Sequence, residues 1–141
     1  MSTVRIAFAT DERTPVTESL VEELRIGGFD VVVMADGEEW PEVGRAVGQA
    51  VAEGQVDLGV VCCTTGTGVS MAANKVPGVR AALCVDASTA EGARRWNDAN
   101  VLAIGLRLTS QAVAHEVVDA FVRTAFDPTE AAAVSRLEAR P

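Results

Sequence analysis

Apolar runs alternate along this chain with segments whose apolar residues recur at helical spacing. Val4 to Ala9 ("VRIAFA") reads as a first strand. From Pro15 to Arg25, Val16, Leu20, Val21 and Leu24 fall on one helical face, with Thr14 placed to cap and Pro15 suited to the first turn. Gly27 and Gly28 end that helix. Phe29 to Met34 predicts a second strand, "ADGEEWPE" a loop, and Pro41 to Glu53 a helix on Val43, Ala46, Val47, Ala50 and Val51. Leu58 to Cys63 predicts a third strand, followed by a small-residue loop at 64–68 and a short helix from Val69 to Asn74. Val79 to Cys84, Ser88 to Trp96, Val101 to Ile104 and Ser110 to Phe126 continue the pattern as strand, helix, strand and helix. In the last of these Val113, Val117, Val118, Phe121 and Val122 face inward. The tail, Pro128 to Arg140, reads as helical but carries little apolar surface, which points to packing on a neighbouring subunit.

Strands that alternate with helices predict an α/β fold: a three-layer, Rossmann-like, five-stranded parallel sheet with helices on both faces. The strands are nearly continuous Val, Ile, Leu and Ala, as expected where both faces are covered. The pattern describes one domain over 1–141, with 127–141 as its tail. In such sheets ligands bind beyond the carboxyl ends of the strands. The segments to inspect are therefore Thr10 to Arg13, Ala35 to Trp40, Thr64 to Gly68, Val85 to Ala87 and Gly105 to Arg107.

Composition narrows the function. A formal net charge of −8 leaves no basic surplus for nucleic acid or an anionic membrane, though a few local arginines can still hold a small anion. The apolar runs are too short to span a bilayer, and "MSTVRIAFATDE" lacks the features of a signal peptide, so a cytoplasmic protein is expected. Three cysteines without framework spacing fit reduced thiols. His115 is the only histidine, which excludes a multi-histidine metal site within one chain.

The third strand ends in "VVCCTTGTGVSMAANK". Gly66 and Gly68 open backbone angles closed to other residues, and the following helix aims N–H groups back at the loop. Together they suit a phosphate, a carboxylate or a developing oxyanion. The pattern lacks the Gly-Lys-Ser/Thr of a Walker loop and the third glycine of a dinucleotide fingerprint. A tight strand-to-helix turn explains "GTG" equally well. A thiol beside helix N–H groups can act as nucleophile or base; it can also be a small buried apolar residue. Cys62 and Cys63 must point to opposite faces, so at most one serves the loop, and Cys63 is the nearer. Cys84 reads as packing.

"GVVCCTTGTGVSMAANKVPGVRAALC", followed by "RRWNDANVLAIGLRL", resembles the type B ribose-5-phosphate isomerases and galactose-6-phosphate isomerase subunits, the RpiB/LacAB family. The likeness covers about residues 4–126. Counting back from "AANK" sets Cys63 on the family's cysteine and matches Thr65, Gly66, Gly68 and Ser70. The resemblance implies aldose–ketose isomerisation of a sugar phosphate through an enediolate, with Cys63 and Thr65 catalytic and Thr65 to Gly68 as oxyanion cradle. It implies no metal and no organic cofactor. It also implies a homodimer or homotetramer whose active sites lie at subunit interfaces and are built partly by the tail.

The resemblance assigns substrate contacts to Asp11, Glu12, Arg13, Glu39, Trp40, Thr64, Gly66, Thr67, Gly68, Trp96, Asn97, Arg107 and Arg136, and several of these depart from the family pattern. Glu12 stands where the family has a phosphate-contacting histidine, with Arg13 as a possible replacement charge. Glu39-Trp40-Pro41 replaces Asp-Tyr-Pro. Trp96 replaces the ring-opening histidine, while Asn97 remains. Thr64 replaces a glycine and narrows the approach to Cys63. Arg136 is the candidate match to one phosphate arginine of the tail; another arginine position holds alanine. Two readings follow. One is an isomerase with a rewritten sugar pocket, for which an open-chain substrate needs no ring-opening group. The other is a divergent member that binds a sugar-like or other small ligand without isomerase activity; there Trp96 is simply a packing residue at a helix end. Redox sensing by Cys62 and Cys63 is disfavoured, because adjacent cysteines rarely bridge comfortably.

Overall fold

A computed structural model describes residues 3–139; Arg140, the last residue of the predicted tail helix, and Pro141 lie outside the described residues. The chain forms β1 (Arg5–Thr10), α1 (Pro15–Ile26), β2 (Asp30–Val33), α2 (Trp40–Ala52), β3 (Leu58–Cys63), α3 (Thr67–Asn74), β4 (Ala81–Leu83), α4 (Ala87–Asn97), β5 (Val101–Gly105), α5 (Gln111–Arg123) and α6 (Ala131–Glu138). A 3₁₀ turn at Pro128–Glu130 leads into α6. The strands form one parallel sheet in the order β2-β1-β3-β5-β4. Among the described residues no helix is long and apolar enough to cross a membrane.

The alternation of side chains along each strand divides the core in two. Leu58, Val60 and Cys62 of β3 join Phe8, Leu20, Ile104, Val117 and Phe121 under α1, α4 and α5. Val61 and Cys63 join Ala9, Val43, Val47 and Val69 under α2 and α3. Full burial of each such side chain contributes about 1.5–3 kcal/mol. The helix starts are fixed by short polar caps. Thr14 and Thr17 exchange side-chain and backbone hydrogen bonds in a capping box, Asp86 accepts from Thr89 N–H, and Ser110 accepts from Val113 N–H.

The predicted elements and their order are all present, with shifted bounds. The fourth strand is only Ala81–Leu83, not Val79 to Cys84. The Arg80 N–H is diverted to the Asn100 side chain at 2.7 Å, so the ladder starts only at Ala81. The last long helix stops at Arg123 instead of Phe126. Thr124 Oγ1 takes the Ala120 carbonyl at 2.6 Å and its backbone turns extended. The two edge strands also differ from the expectation of two covered faces. Val32 and Val33 of β2 are 46% and 44% exposed, whereas every residue of β3 and β5 is buried. Val113 and Val122 pack only partly buried against the core.

Two glycines let α2 lie close on α3. A Cβ on Gly44 would sit 2.6 Å from Ala72 Cβ and 2.8 Å from the Val69 carbonyl oxygen, and one on Gly48 would sit 3.0 Å from Val76. Because backbone lies opposite Gly44, the helices must separate to admit a side chain. Gly44→Val is expected to lower stability by about 3 kcal/mol. The exposed change Ala52→Val on the same helix should stay within about 0.5 kcal/mol. Chemical denaturation of the two variants checks the difference; equal stabilities would contradict the close-packing account.

Candidate active site

The chain leaves β1 toward β2 on one side and, two elements later, β3 on the other, so the crevice of this sheet opens between the carboxyl ends of β1 and β3. Thr10 is paired with Cys62 there, and Asp11 N–H reaches the Cys62 carbonyl at 3.3 Å. Cys63 is the last residue of β3 and is paired with Gly105 of β5. Beyond it, Leu106 N–H donates to the Cys63 carbonyl and Arg107 N–H to the Thr64 carbonyl, both at 2.9 Å. The loop therefore continues along the extension of β5 before it turns.

The turn is made at Gly66, which has φ +77° and caps α3. An L side chain is strained at that angle. Gly66 N–H points at Cys63 Sγ, 3.2 Å away. Cys63 is 5% exposed, with its sulfur under the loop. Helix α3 has no side-chain cap. Its first-turn donors Gly68 and Val69 N–H have no acceptor among the described hydrogen bonds, as is normal for an open helix start. Thr65 and Thr67 hydroxyls lie 2.7 Å apart across the same start. A thiol, two hydroxyls and two unclaimed N–H donors thus converge at one mouth.

The other two thiols lie away from this mouth. Cys62 is fully buried on the opposite face, and burial pushes its pKa far up, helped by Cys63 and Asp11 nearby. Cys84 is pushed up to about 11, mainly by burial and then by Asp86. Asp11 beside the crevice also titrates above the usual carboxylate range, because of burial and then Glu12 next to it. One Asp11 oxygen, Oδ1, is buried without a hydrogen-bond partner. A carboxyl so placed is suited to receive a ligand hydroxyl.

Of the residues picked out in the sequence, Asp11, Cys63, Thr64, Thr65, Gly66, Thr67, Gly68 and Arg107 gather at this mouth. Trp40 joins them: a Cβ on Gly68 would lie 2.9 Å from its ring atoms Cδ2 and Cε3, so the indole leans on the start of α3. Trp40 opens α2 instead of belonging to the preceding loop, and Glu39 is the exposed residue before it. Glu12 is exposed and accepts the Thr10 hydroxyl hydrogen at its backbone oxygen. The Arg13 guanidinium is engaged by Asp36 at 3.3 Å, so its charge is shared before any ligand arrives.

Trp96, Asn97 and Arg136 are not part of this gathering. Trp96 and Asn97 close α4, just before β5 begins at Val101, whereas Cys63 stands opposite the end of β5 at Gly105. The length of that strand, roughly 13 Å, lies between them. Trp96 is 54% exposed and rests on Gly92 of its own helix. Asn97 lines a groove of about 850 Å³ with Asn74, Lys75, Arg80, Leu137 and Glu138. Arg136 is exposed on α6 and, among the described residues, hydrogen-bonds only the Ala132 carbonyl. Sequence reasoning missed Leu83, whose side chain touches Gly66, while the exposed Val85 lies in a segment it singled out. Leu83 sits inside the predicted fourth strand, where nothing in the sequence marks it as facing the mouth. Among the described residues no three His, Cys, Asp or Glu side chains converge where a metal ion could sit.

A family model described as Ribose/Galactose Isomerase matches residues 6–139. The structure of Trypanosoma brucei type B ribose 5-phosphate isomerase superposes with a TM-score of 0.91 at 35% identity, covering 98% of this chain and 99% of that one. The galactose-6-phosphate isomerase subunit LacB of Clostridium acetobutylicum is 43% identical over 91 residues, 64% of this chain but only 53% of that protein. The D-erythrulose-4-phosphate isomerase of Pectobacterium atrosepticum is 31% identical over 120 residues, 84% of this chain and 79% of its own.

The thiol environments differ enough to be read chemically. Burial raises the pKa of Cys62 and Cys84, and Cys63 lies at the mouth, so iodoacetamide near pH 8 should label Cys63 before either, by at least about ten-fold. Peptide mass spectrometry of partly labelled protein checks this. Preferential labelling of Cys84 would contradict the assignment of Cys63 as the reactive thiol.

Proposed function

This chain belongs to the ribose/galactose isomerase family, and we propose that it interconverts an aldose phosphate and a ketose phosphate with Cys63 as the base. The observation that carries the reading is the Gly66 N–H aimed at Cys63 Sγ beside the open N–H groups of Gly68 and Val69. In the aldose direction the Cys63 thiolate takes the proton from C2. The electron pair of that C–H bond forms the C1–C2 double bond, and the carbonyl pair moves onto O1. The α3 start meets that oxyanion, and donors fixed before the reaction need no reorganisation. The Thr65–Thr67 hydroxyl pair carries the proton from O2 to O1, and Cys63 returns its proton to C1 to give the ketose. No electron leaves the substrate, and no co-reactant enters.

Substrate length follows from what the mouth lacks. Trp96 occupies the position of the family's ring-opening histidine. An aldotetrose bearing its phosphate on C4 has no hydroxyl left to close a five- or six-membered ring, so it arrives open. The D-erythrulose-4-phosphate isomerase among the relatives supports this choice. Glu12 and Asp11 then suit hydroxyls, while phosphate lies toward Arg107.

The site is completed by a second copy of the chain. Asn97 and Arg136 stand at the sheet edge opposite Cys63, and α6 buries none of its residues in a single copy. A two-fold pair can bring one copy's edge to the other's mouth. The groove of about 510 Å³ beside Trp40, lined by Arg45, Met71, Ala72 and Pro77, is an open apolar surface next to that mouth.

Incubation in D₂O with tetrose, pentose and hexose phosphates, followed by NMR, tests the chemistry. Deuterium at C2 is expected, fastest with the tetrose phosphates, and Cys63→Ala should reduce it by at least about 10²-fold. If no sugar exchanges, the isomerase reading fails and a ligand-binding role stands in its place. Mixing inactive Cys63→Ala with Asn97→Ala tests the shared site. Random re-pairing should restore about a quarter of the activity, since half the pairs then hold one intact site of two. No recovery in a mixture shown to re-pair would place Asn97 in its own copy's site.

A further inference from the structure

One side chain holds both elements that carry the distant site residues. Arg80 precedes β4 and is 17% exposed. Its Nε donates to the Asp98 carbonyl at 2.7 Å, and Nη2 meets the Asp98 carboxylate at 3.3 Å. Its Nη1 donates to Glu138 of α6 at 2.7 Å. Arg94 grips the same α4–β5 turn, with Nη1 3.1 Å from Asp98 Oδ1 and 2.6 Å from the Ala99 carbonyl. Asp98 has φ +49°, a left-handed conformation uncommon outside glycine, and the two arginines hold it there. Asn100 finishes the turn by bonding Arg80 N–H and the Gly78 carbonyl.

Helix α6 depends on this clasp more than the turn does. Leu137 is 61% exposed. Among the described hydrogen bonds Glu138 to Arg80 is the only link from α6 to the body of the fold. The segment before it is tied twice to α4, by Asp127 N–H to the Arg95 carbonyl at 2.9 Å and by Arg94 Nε to the Thr124 carbonyl at 3.3 Å. All of these ties lead to the region where α4 ends in Trp96 and Asn97.

We propose that Arg80 is a positioning residue that locks α6 to the α4–β5 turn, so that Arg136 and Asn97 meet a partner's Cys63 mouth as one unit. The proposal rests on the reading that a second copy completes the site. The planar guanidinium serves both arms at once, with separate nitrogens for Asp98 and Glu138; a lysine ammonium lacks that fork.

Glu138→Ala cuts the tail arm alone and removes no group placed in the site. Hydrogen–deuterium exchange should rise across 131–138 and stay unchanged at 97–100. Affinity for inorganic phosphate should fall about five-fold, and KM should rise equally with kcat unchanged, as fits a partly exposed ion pair. Simple electrostatics predicts the opposite sign, since losing a carboxylate near Arg136 would strengthen anion binding. Glu138→Gln, which keeps an acceptor for Arg80, should recover part of the loss. Arg80→Lys should lower kcat as well, because the turn loosens with the tail. Unchanged exchange in α6, or a looser α6 with unchanged phosphate affinity, overturns the proposal. A wild-type protein without turnover on any sugar phosphate sinks the isomerase reading instead; exchange and phosphate affinity still decide the clasp.

Discussion

A side chain on Gly105 would stand 2.5 Å from the Thr65 carbonyl oxygen, and one on Gly66 would stand 2.8 Å from the Gly105 nitrogen. The β3–α3 loop therefore lies backbone against backbone on the end of β5, and only because both positions lack a Cβ. That seating turns the chain at Gly66, aims its N–H at the Cys63 sulfur and points the start of α3 at the mouth. Close contact with α2 through Gly44 and Gly48 then fixes the direction of α3. The donors of the mouth are main-chain groups held by packing on three sides. Their placement survives changes in side chains far better than a set of polar side chains would.

A parallel sheet imposes the second constraint. Each strand delivers its carboxyl end to one edge, and each helix runs back to the other. Cys63, Asp11 and Arg107 follow strands and fall at one edge; Asn97 follows a helix and falls at the other. No local rearrangement of α4 can bridge the length of β5. The candidate site residues are thus divided by topology before any side chain is chosen, and the second edge is organised by Arg80 and Arg94 into a turn with an unusual backbone angle.

This division explains what could be read in the sequence. Periodicity located every helix and strand, because burial in two cores demands it: Leu20 and Leu24, or Val117 and Phe121, have no other reason for their spacing. Cys63 and its glycines were legible because a strand end, a thiol and small residues adjoin within seven positions. The ends of β4 and α5 were not, since they are decided by Asn100 bonding Arg80 and by Thr124 bonding its own helix. Trp96 and Asn97 were grouped with Cys63 because sequence motifs carry no edge. Leu83 escaped notice because its contact with Gly66 joins the end of β4 to the β3–α3 loop, far apart in sequence.

Charge gives the proposed assembly a chemical role. The chain carries −8 overall, and Glu12, Asp36 and Glu39 are exposed on the loops beside the mouth, with Arg13 tied to Asp36. A phosphate dianion approaching a single copy meets mostly carboxylates, and the Arg107 side chain is exposed where screening weakens it. In the proposed pair an arginine on the partner's tail changes that balance and excludes water, which strengthens each remaining hydrogen bond. On that proposal phosphate recognition depends on the pairing of two copies, and a substrate lacking phosphate would forfeit the contribution of the tail that Arg80 holds in place.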